Sequence, residues 1–208
     1  MEPDLQLILI RHGETEWNRK RRYQGQKDVK LNARGREQAQ LAARHLEKED
    51  IDVIYSSDLS RAKDTAELIA DRQGMQVREL EGLRELDFGA WEGKDYQTII
   101  EKDENRYRDW LHNPGEVTPP DGEEMSHFQE RVASTFSKII ERHSGKDDHE
   151  KIAAAAHGGT IRIYLVEILE IPLERYTRLY FDNGGITRID FYEGSPVITL
   201  VNDTHHLS

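Results

Sequence analysis

Apolar positions along this chain follow two rhythms. Short, dense runs read as strands: "LQLILI" (5–10), "IDVIYS" (51–56), "MQVREL" (75–80), "KIAAAA" (151–156), "ITRIDFY" (186–192) and "SPVITLVN" (195–202). Between them the spacing turns helical, over "ARGREQAQLAARHLEKE" (33–49), "LSRAKDTAELIADRQ" (59–73), a stretch near 95–112, "MSHFQERVASTFSKIIERHS" (125–144) and "TIRIYLVEILE" (160–170). In the second of these, Ala62, Ala66, Ile69 and Ala70 share one face, as an amphipathic helix requires. Strands alternating with helices predict a three-layer α/β/α sandwich around a mainly parallel sheet. Only "EGS" separates the last two strands, so one edge is expected to be antiparallel.

Composition narrows the class. With 208 residues, 36% hydrophobic and 33% charged, the chain reads as one globular domain over 1–208. "NPGEVTPPDGEE" (113–124) reads as a loop, because neither flank forms a complete unit alone, and "SGKDDHE" (144–150) as a solvated turn. No apolar run approaches a bilayer span, so no membrane is expected. "MEPDLQL" lacks the basic start and apolar centre of a signal peptide, and cytoplasm is the default location. Cysteine is absent, which removes disulfides and thiolate metal sites. A net charge of −11 argues against nucleic-acid binding, yet leaves a local cationic cleft open, because distant surface charges are screened. The oligomeric state is left open, a homodimer among the options.

Ligands of open α/β sheets collect beyond the carboxyl ends of the strands. Arg11-His12-Gly13 follows the first strand. "SSDLSRA" follows the second, with Ser57 or Asp58 expected to cap the next helix and Arg61 in its first turn. "EGLRELDFGAWEG" follows the third, carrying Arg84, Glu85, Phe88 and Trp91, and His157-Gly158-Gly159 follows the fourth. Two histidines, two or three arginines and a carboxylate thus converge on one rim. Such a rim suits a phosphomonoester, whose dianion matches guanidinium forks and the N–H groups of a helix start. Arg11 and Arg61 would keep a nearby imidazole neutral, hence nucleophilic, and a backbone carbonyl near Gly13 would fix its tautomer. Glu85 is the best-placed carboxylate to protonate the leaving alkoxide and then deprotonate water.

"LIRHGETEWN", "SSDLSRAKDTA", "LRELDFGAWEG", "HGGTIR" and the closing "NDTHHL" resemble the histidine phosphatase superfamily, also called phosphoglycerate mutase-like, across essentially the whole chain. The resemblance implies His12 as the phosphorylated nucleophile and Glu85 as proton donor. It further implies Arg11, Arg61 and His157 as the phosphate pocket, with Asn18, Gln24 and Gly25 contacting substrate. No metal or cofactor is implied; the partner is a small-molecule phosphate ester. "FGAWEG" and a short middle segment look most similar to broad-specificity and α-ribazole phosphatases rather than to the longer mutases. Three positions depart from the family pattern: Ala156 and Gly185, where a hydroxyl is common, and Glu124, where Ser is common, which would add negative charge near the pocket mouth.

Each residue also has a plainer reading. Arg61 alone would pass for an exposed helix arginine, and only the constellation reverses that. Phe88 and Trp91 read as packing, whereas Tyr107 and Trp110 read as lining the leaving-group side. The remaining histidines, His45, His112, His127, His143, His149, His205 and His206, read as surface residues, and "RKRR" (19–22) as a solvated loop that steers anions. A mutase returning the phosphoryl group to an acid, and a weakly active phospho-ligand-binding module, are the competing functions.

Overall fold

Strand β1 (Leu5–Arg11) is buried on both sides, which is why its apolar run is continuous rather than alternating. The computed structural model describes residues 2–144 and 149–208, so much of the turn expected over 144–150 lies outside the described residues. Leu5, Leu7 and Leu9 face one layer of helices, Ile8 and Ile10 the other. The remaining strands are β2 (Val53–Ser56), β3 (Val77–Glu79), β4 (Glu150–Ala156), β5 (Ile186–Tyr192) and β6 (Ser195–Asp203). They form one sheet in the order β3-β2-β4-β1-β5-β6. The first four are parallel; β5 runs antiparallel to both β1 and β6. The β5–β6 turn places Glu193 (φ 50°) and Gly194 (φ 79°) in the left-handed region, the two-residue geometry that matches strand twist.

Helices α2 (Ala33–Leu46) and α3 (Ser60–Gln73) cover one face, packing Ala43, Leu46, Ala66 and Ile69 on Ile8, Ile10 and Ile54. Helices α5 (Met125–His143) and α6 (Gly158–Ile168) cover the other, packing Phe128, Phe136, Ile161 and Leu165 on Leu7, Leu9 and Ile152. The alanines of "KIAAAA" keep β4 slim where both layers press on it: Ala154 faces one core and Ala153 and Ala155 the other. Helix α4 (Tyr96–His112) adds Ile99, Tyr107 and Trp110 to the second core, broken once at Asp103 by a non-helical backbone (φ −151°, ψ 51°). The three-layer sandwich with an antiparallel edge is therefore borne out. Among the described residues no helix is long and apolar enough to cross a membrane.

One local element adds to the sequence reading and two local expectations need correction. A short helix, α1 (Glu16–Arg19), interrupts the loop after β1, held by a reciprocal cap in which Asn18 N–H donates to Thr15 Oγ1 (3.1 Å) and Thr15 N–H to Asn18 Oδ1 (3.0 Å). Neither Ser57 nor Asp58 caps α3 as its N-cap residue. Asp28 supplies that carboxylate to Ser60 N–H at 2.9 Å, while Asp58 turns away to accept Arg84 Nε–H at 2.8 Å. His143 is buried rather than superficial, because the last turn of α5 lies on the sheet: Nε2 meets Tyr55 Oη at 3.0 Å and Nδ1 meets Glu150.

Candidate active site

The sheet order sets β4 between β1 and β2, so the carboxyl ends of three parallel strands stand side by side. His12 leaves β1 with its N–H donated to Ala156 O (2.9 Å), the last residue of β4. Gly13 then passes so close to the start of α2 that a Cβ there would lie 2.2 Å from Gly35 O, which excludes any side chain. The His12 ring turns inward and Nδ1 sits 2.7 Å from Gly13 O. A carbonyl only accepts, so Nδ1 carries the proton and Nε2 keeps its lone pair. That lone pair accepts Arg61 Nε–H at 3.2 Å.

Arg61 is completely buried, an expensive position for a guanidinium. Its other donors are fixed by the loop between α1 and α2, Nη1 to Lys27 O (2.9 Å) and Nη2 to Gly25 O (2.7 Å). Burial pushes its pKa down to about 10, so it remains a cation at neutral pH. Arg11 donates Nη1–H to Phe181 O, and its Nε is buried without a partner. His157, the N-cap residue of α6, has neither ring nitrogen partnered, and its centroid lies 5.2 Å from that of His12. Burial first, then the charges of Arg61 and Arg11, hold both imidazoles well below the ordinary histidine range. The result is a neutral pair of rings beside one buried cation, Arg61, and one partly buried cation, Arg11, whose partners are carbonyls and an imidazole, not carboxylates.

Glu85 is held by backbone. Oε1 accepts Leu86 N–H and Oε2 accepts Gly159 N–H at the start of α6, both at 2.9 Å. The helix-start donor expected to face a phosphate is thus committed to this carboxylate instead. Arg131 of α5 staples the loop that carries Glu85: its Nη1 donates to Gly82 O and Arg84 O (3.1 Å each), and its guanidinium pairs with Glu123. Thr160 Oγ1 adds a bond to Arg84 O at 3.1 Å.

These groups open onto a pocket of about 290 Å³. Arg11, His12, Arg61 and Glu85 line it, as do Asn18, Gln24, Gly25 and Gly158, so the expected residues come together. His157 lies below the lining, edge-on to His12. Arg84 is engaged with Asp58 and does not reach the pocket. Phe88 lines the pocket although packing was expected, Trp110 lines it as expected, and Tyr107 stands behind with its hydroxyl 2.7 Å from that of Tyr23. Arg22 of "RKRR" reaches the rim. Glu124 does not line the mouth: it is exposed at the start of α5, 3.8 Å from His127. At Gly185 the space is taken by Asn202, whose Oδ1 would be 2.4 Å from an added Cβ. Ala156 supplies a carbonyl to His12 N–H, a contact that needs no hydroxyl. Arg162 and Tyr176, both lining residues, were not anticipated. A lone arginine within the apolar "TIRIYLVEILE" is the signal that could have found the first. Among the described residues no three His, Asp or Glu side chains are placed to share a metal ion.

The chain belongs to the histidine phosphatase superfamily (branch 1), whose model matches residues 7–204. It is 34% identical over 200 residues to a putative phosphoserine phosphatase 2 of Hydrogenobacter thermophilus, covering 96% of each chain. It is 35% identical over 208 residues to the probable phosphoglycerate mutase GpmB of Citrobacter koseri, covering 98% of this chain and 95% of that one. Among solved structures, the α-ribazole phosphatase of Shigella flexneri superposes with a TM-score of 0.85 at 28% identity, over 95% of this chain and 96% of the other. The resemblance read from the motifs is therefore correct, and phosphoryl chemistry is common to these relatives' names.

Proposed function

We propose that this protein hydrolyses small-molecule phosphomonoesters through a phosphohistidine on His12, with no metal ion required. The observation that carries the reading is the lone-pair nitrogen of His12 set beside the buried Arg61 and the partly buried Arg11, with Arg11 Nε and both nitrogens of His157 unpartnered there. Buried donors without acceptors at one spot call for an anionic ligand rich in oxygens. Fixed guanidinium charge also supplies the electrostatic stabilisation that a metal supplies elsewhere.

Substrate phosphate draws the Arg61 Nε–H away from His12 Nε2, freeing the lone pair. Nε2 then attacks phosphorus as the ester P–O bond breaks opposite it. Nδ1–H keeps its bond to Gly13 O and shares the positive charge that develops on the ring. Glu85 gives its proton to the departing alkoxide. In the second half-reaction Glu85 takes a proton from water, the hydroxide oxygen bonds to phosphorus, and the N–P bond breaks to return neutral His12. We further take residues 1–208 as one domain, because β1 from the beginning of the chain lies between β4 and β5 from its last third.

His12→Ala is expected to abolish turnover and the acid-labile phosphoprotein trapped by rapid quenching; substantial activity in that variant refutes the nucleophile. Activity is expected to survive EDTA, and a loss restored by divalent ion refutes the metal-free mechanism. Hydrolysis is preferred to mutase transfer on the short segment between Glu85 and His157. Incubation with 3-phosphoglycerate and a bisphosphate primer decides: sustained formation of 2-phosphoglycerate would establish the mutase.

A further inference from the structure

Arg162 is a further cation at the pocket, beside Arg11, Arg22 and Arg61, and the hydrolytic scheme above gives it no task. It sits in the second turn of α6, with its guanidinium carbon 4.7 Å over the ring of Tyr176. Its Nε is buried without a hydrogen-bond partner. An unpaired guanidinium nitrogen at a pocket wall is a costly arrangement unless an acceptor meets it there. Its neighbours mark which wall this is. Tyr176 under it adjoins Glu85: a Cβ added at Gly159 would lie 2.0 Å from Glu85 Oε1 and 2.8 Å from the Tyr176 hydroxyl. Arg162 therefore stands on the Glu85 side of the pocket, where the alcohol half of an ester would meet its proton donor. The whole pocket, at about 290 Å³, is at the small end of ligand cavities and leaves room for few atoms beyond the phosphate.

We infer that Arg162 selects the leaving group, and that the favoured substrates are short phosphomonoesters carrying a carboxylate within a few atoms of the ester oxygen. A carboxylate presents two coplanar oxygens that match the Nε and Nη donors of a guanidinium, here one set over an aromatic ring. This inference rests on the phosphatase reading of the same pocket and adds the class of ester to it.

The test compares kcat/KM for matched pairs, phosphoserine against phosphoethanolamine and 3-phosphoglycerate against glycerol 3-phosphate, with nitrophenyl phosphate as an aromatic reference. The protein is expected to prefer the carboxylated member of each pair. Arg162→Gln is expected to shrink that preference about 10- to 100-fold, the worth of one charge-assisted hydrogen bond, mainly through KM. Arg162→Lys is expected to restore part of it, because the charge remains while the fork is lost. An equal fall on both members of a pair would place Arg162 in the phosphate cradle and overturn the inference. So would turnover of nitrophenyl phosphate by a protein that shows no preference within either pair; in that case the phosphatase reading stands. Failure to hydrolyse any ester, nitrophenyl phosphate included, would overturn both.

Discussion

Substituting Gly159 by alanine tests the acid without touching it. The new Cβ would lie 2.0 Å from Glu85 Oε1 and 2.8 Å from the Tyr176 hydroxyl. Contact between such atoms needs more than 3 Å, so the carboxylate must retreat by roughly 1 Å. In retreating it gives up the 2.9 Å bond from Gly159 N–H. A misplacement of this size costs on the order of 100-fold in a step that depends on positioned proton transfer. Alanine improves helix propensity by about 1 kcal/mol over glycine, and the displaced group is the end of a flexible side chain, so the fold is expected to hold. The informative quantity is kcat/KM, which reports steps up to phosphorylation of His12 and ignores the later hydrolysis that all substrates share. For an alkyl phosphate it should fall about 100-fold; for nitrophenyl phosphate, whose leaving group needs no proton, it should fall less than about tenfold. Urea unfolding checks that stability is kept. Equal losses on the two substrates, or none on either, would show that Glu85 is not the proton donor.

Other expectations follow from the same geometry. Arg131→Gln removes the staple under the Glu85 loop and should lower kcat/KM for alkyl phosphates about tenfold, more than for nitrophenyl phosphate, with partial recovery in Arg131→Lys; indifference to the leaving group would make Arg131 merely structural. Because burial and the two arginines depress His12, its neutral form persists below the ordinary histidine range, so kcat/KM should hold from pH 7 to 6 and fall only at lower pH. An acid limb at or above 6.5 would contradict this. The same depression makes the unfolded chain bind protons first, so stability is full above pH 6.5 and is lost as pH falls below it. Each buried imidazole adds up to about 1.4 kcal/mol per pH unit to that slope. His157→Gln should therefore flatten the fall in urea midpoint between pH 6.5 and 5, and an unchanged slope would refute its neutral burial.

Much of this site can be read along the chain because its key residues directly follow strands. The end of β1 delivers His12, the end of β4 delivers His157, and a run buried on both faces is hard to mistake. β3 came out shorter than its apolar pattern, Val77–Glu79 against 75–80, because it is an edge strand paired only with β2. What stayed hidden depends on contacts between distant segments. Asp28 caps a helix 32 residues away, and Arg131 reaches the carbonyl of Gly82, 49 residues back. Arg162 was concealed differently: it interrupts an apolar helix face, and only the neighbouring Tyr176 makes its direction meaningful. His143 likewise gave no sign of its burial, since Tyr55 and Glu150 arrive from other elements.

The central place of β1 has a consequence for biosynthesis. Of the six strands it is translated first, yet both its sheet neighbours, β4 and β5, follow β2 and β3. Until residue 150 is translated, "LQLILI" has two unsatisfied edges and no partner to cover them. A nascent chain stalled after α5 would therefore expose its stickiest segment, and would hold His12 without the second imidazole. Folding to the competent form waits for β4 and β5.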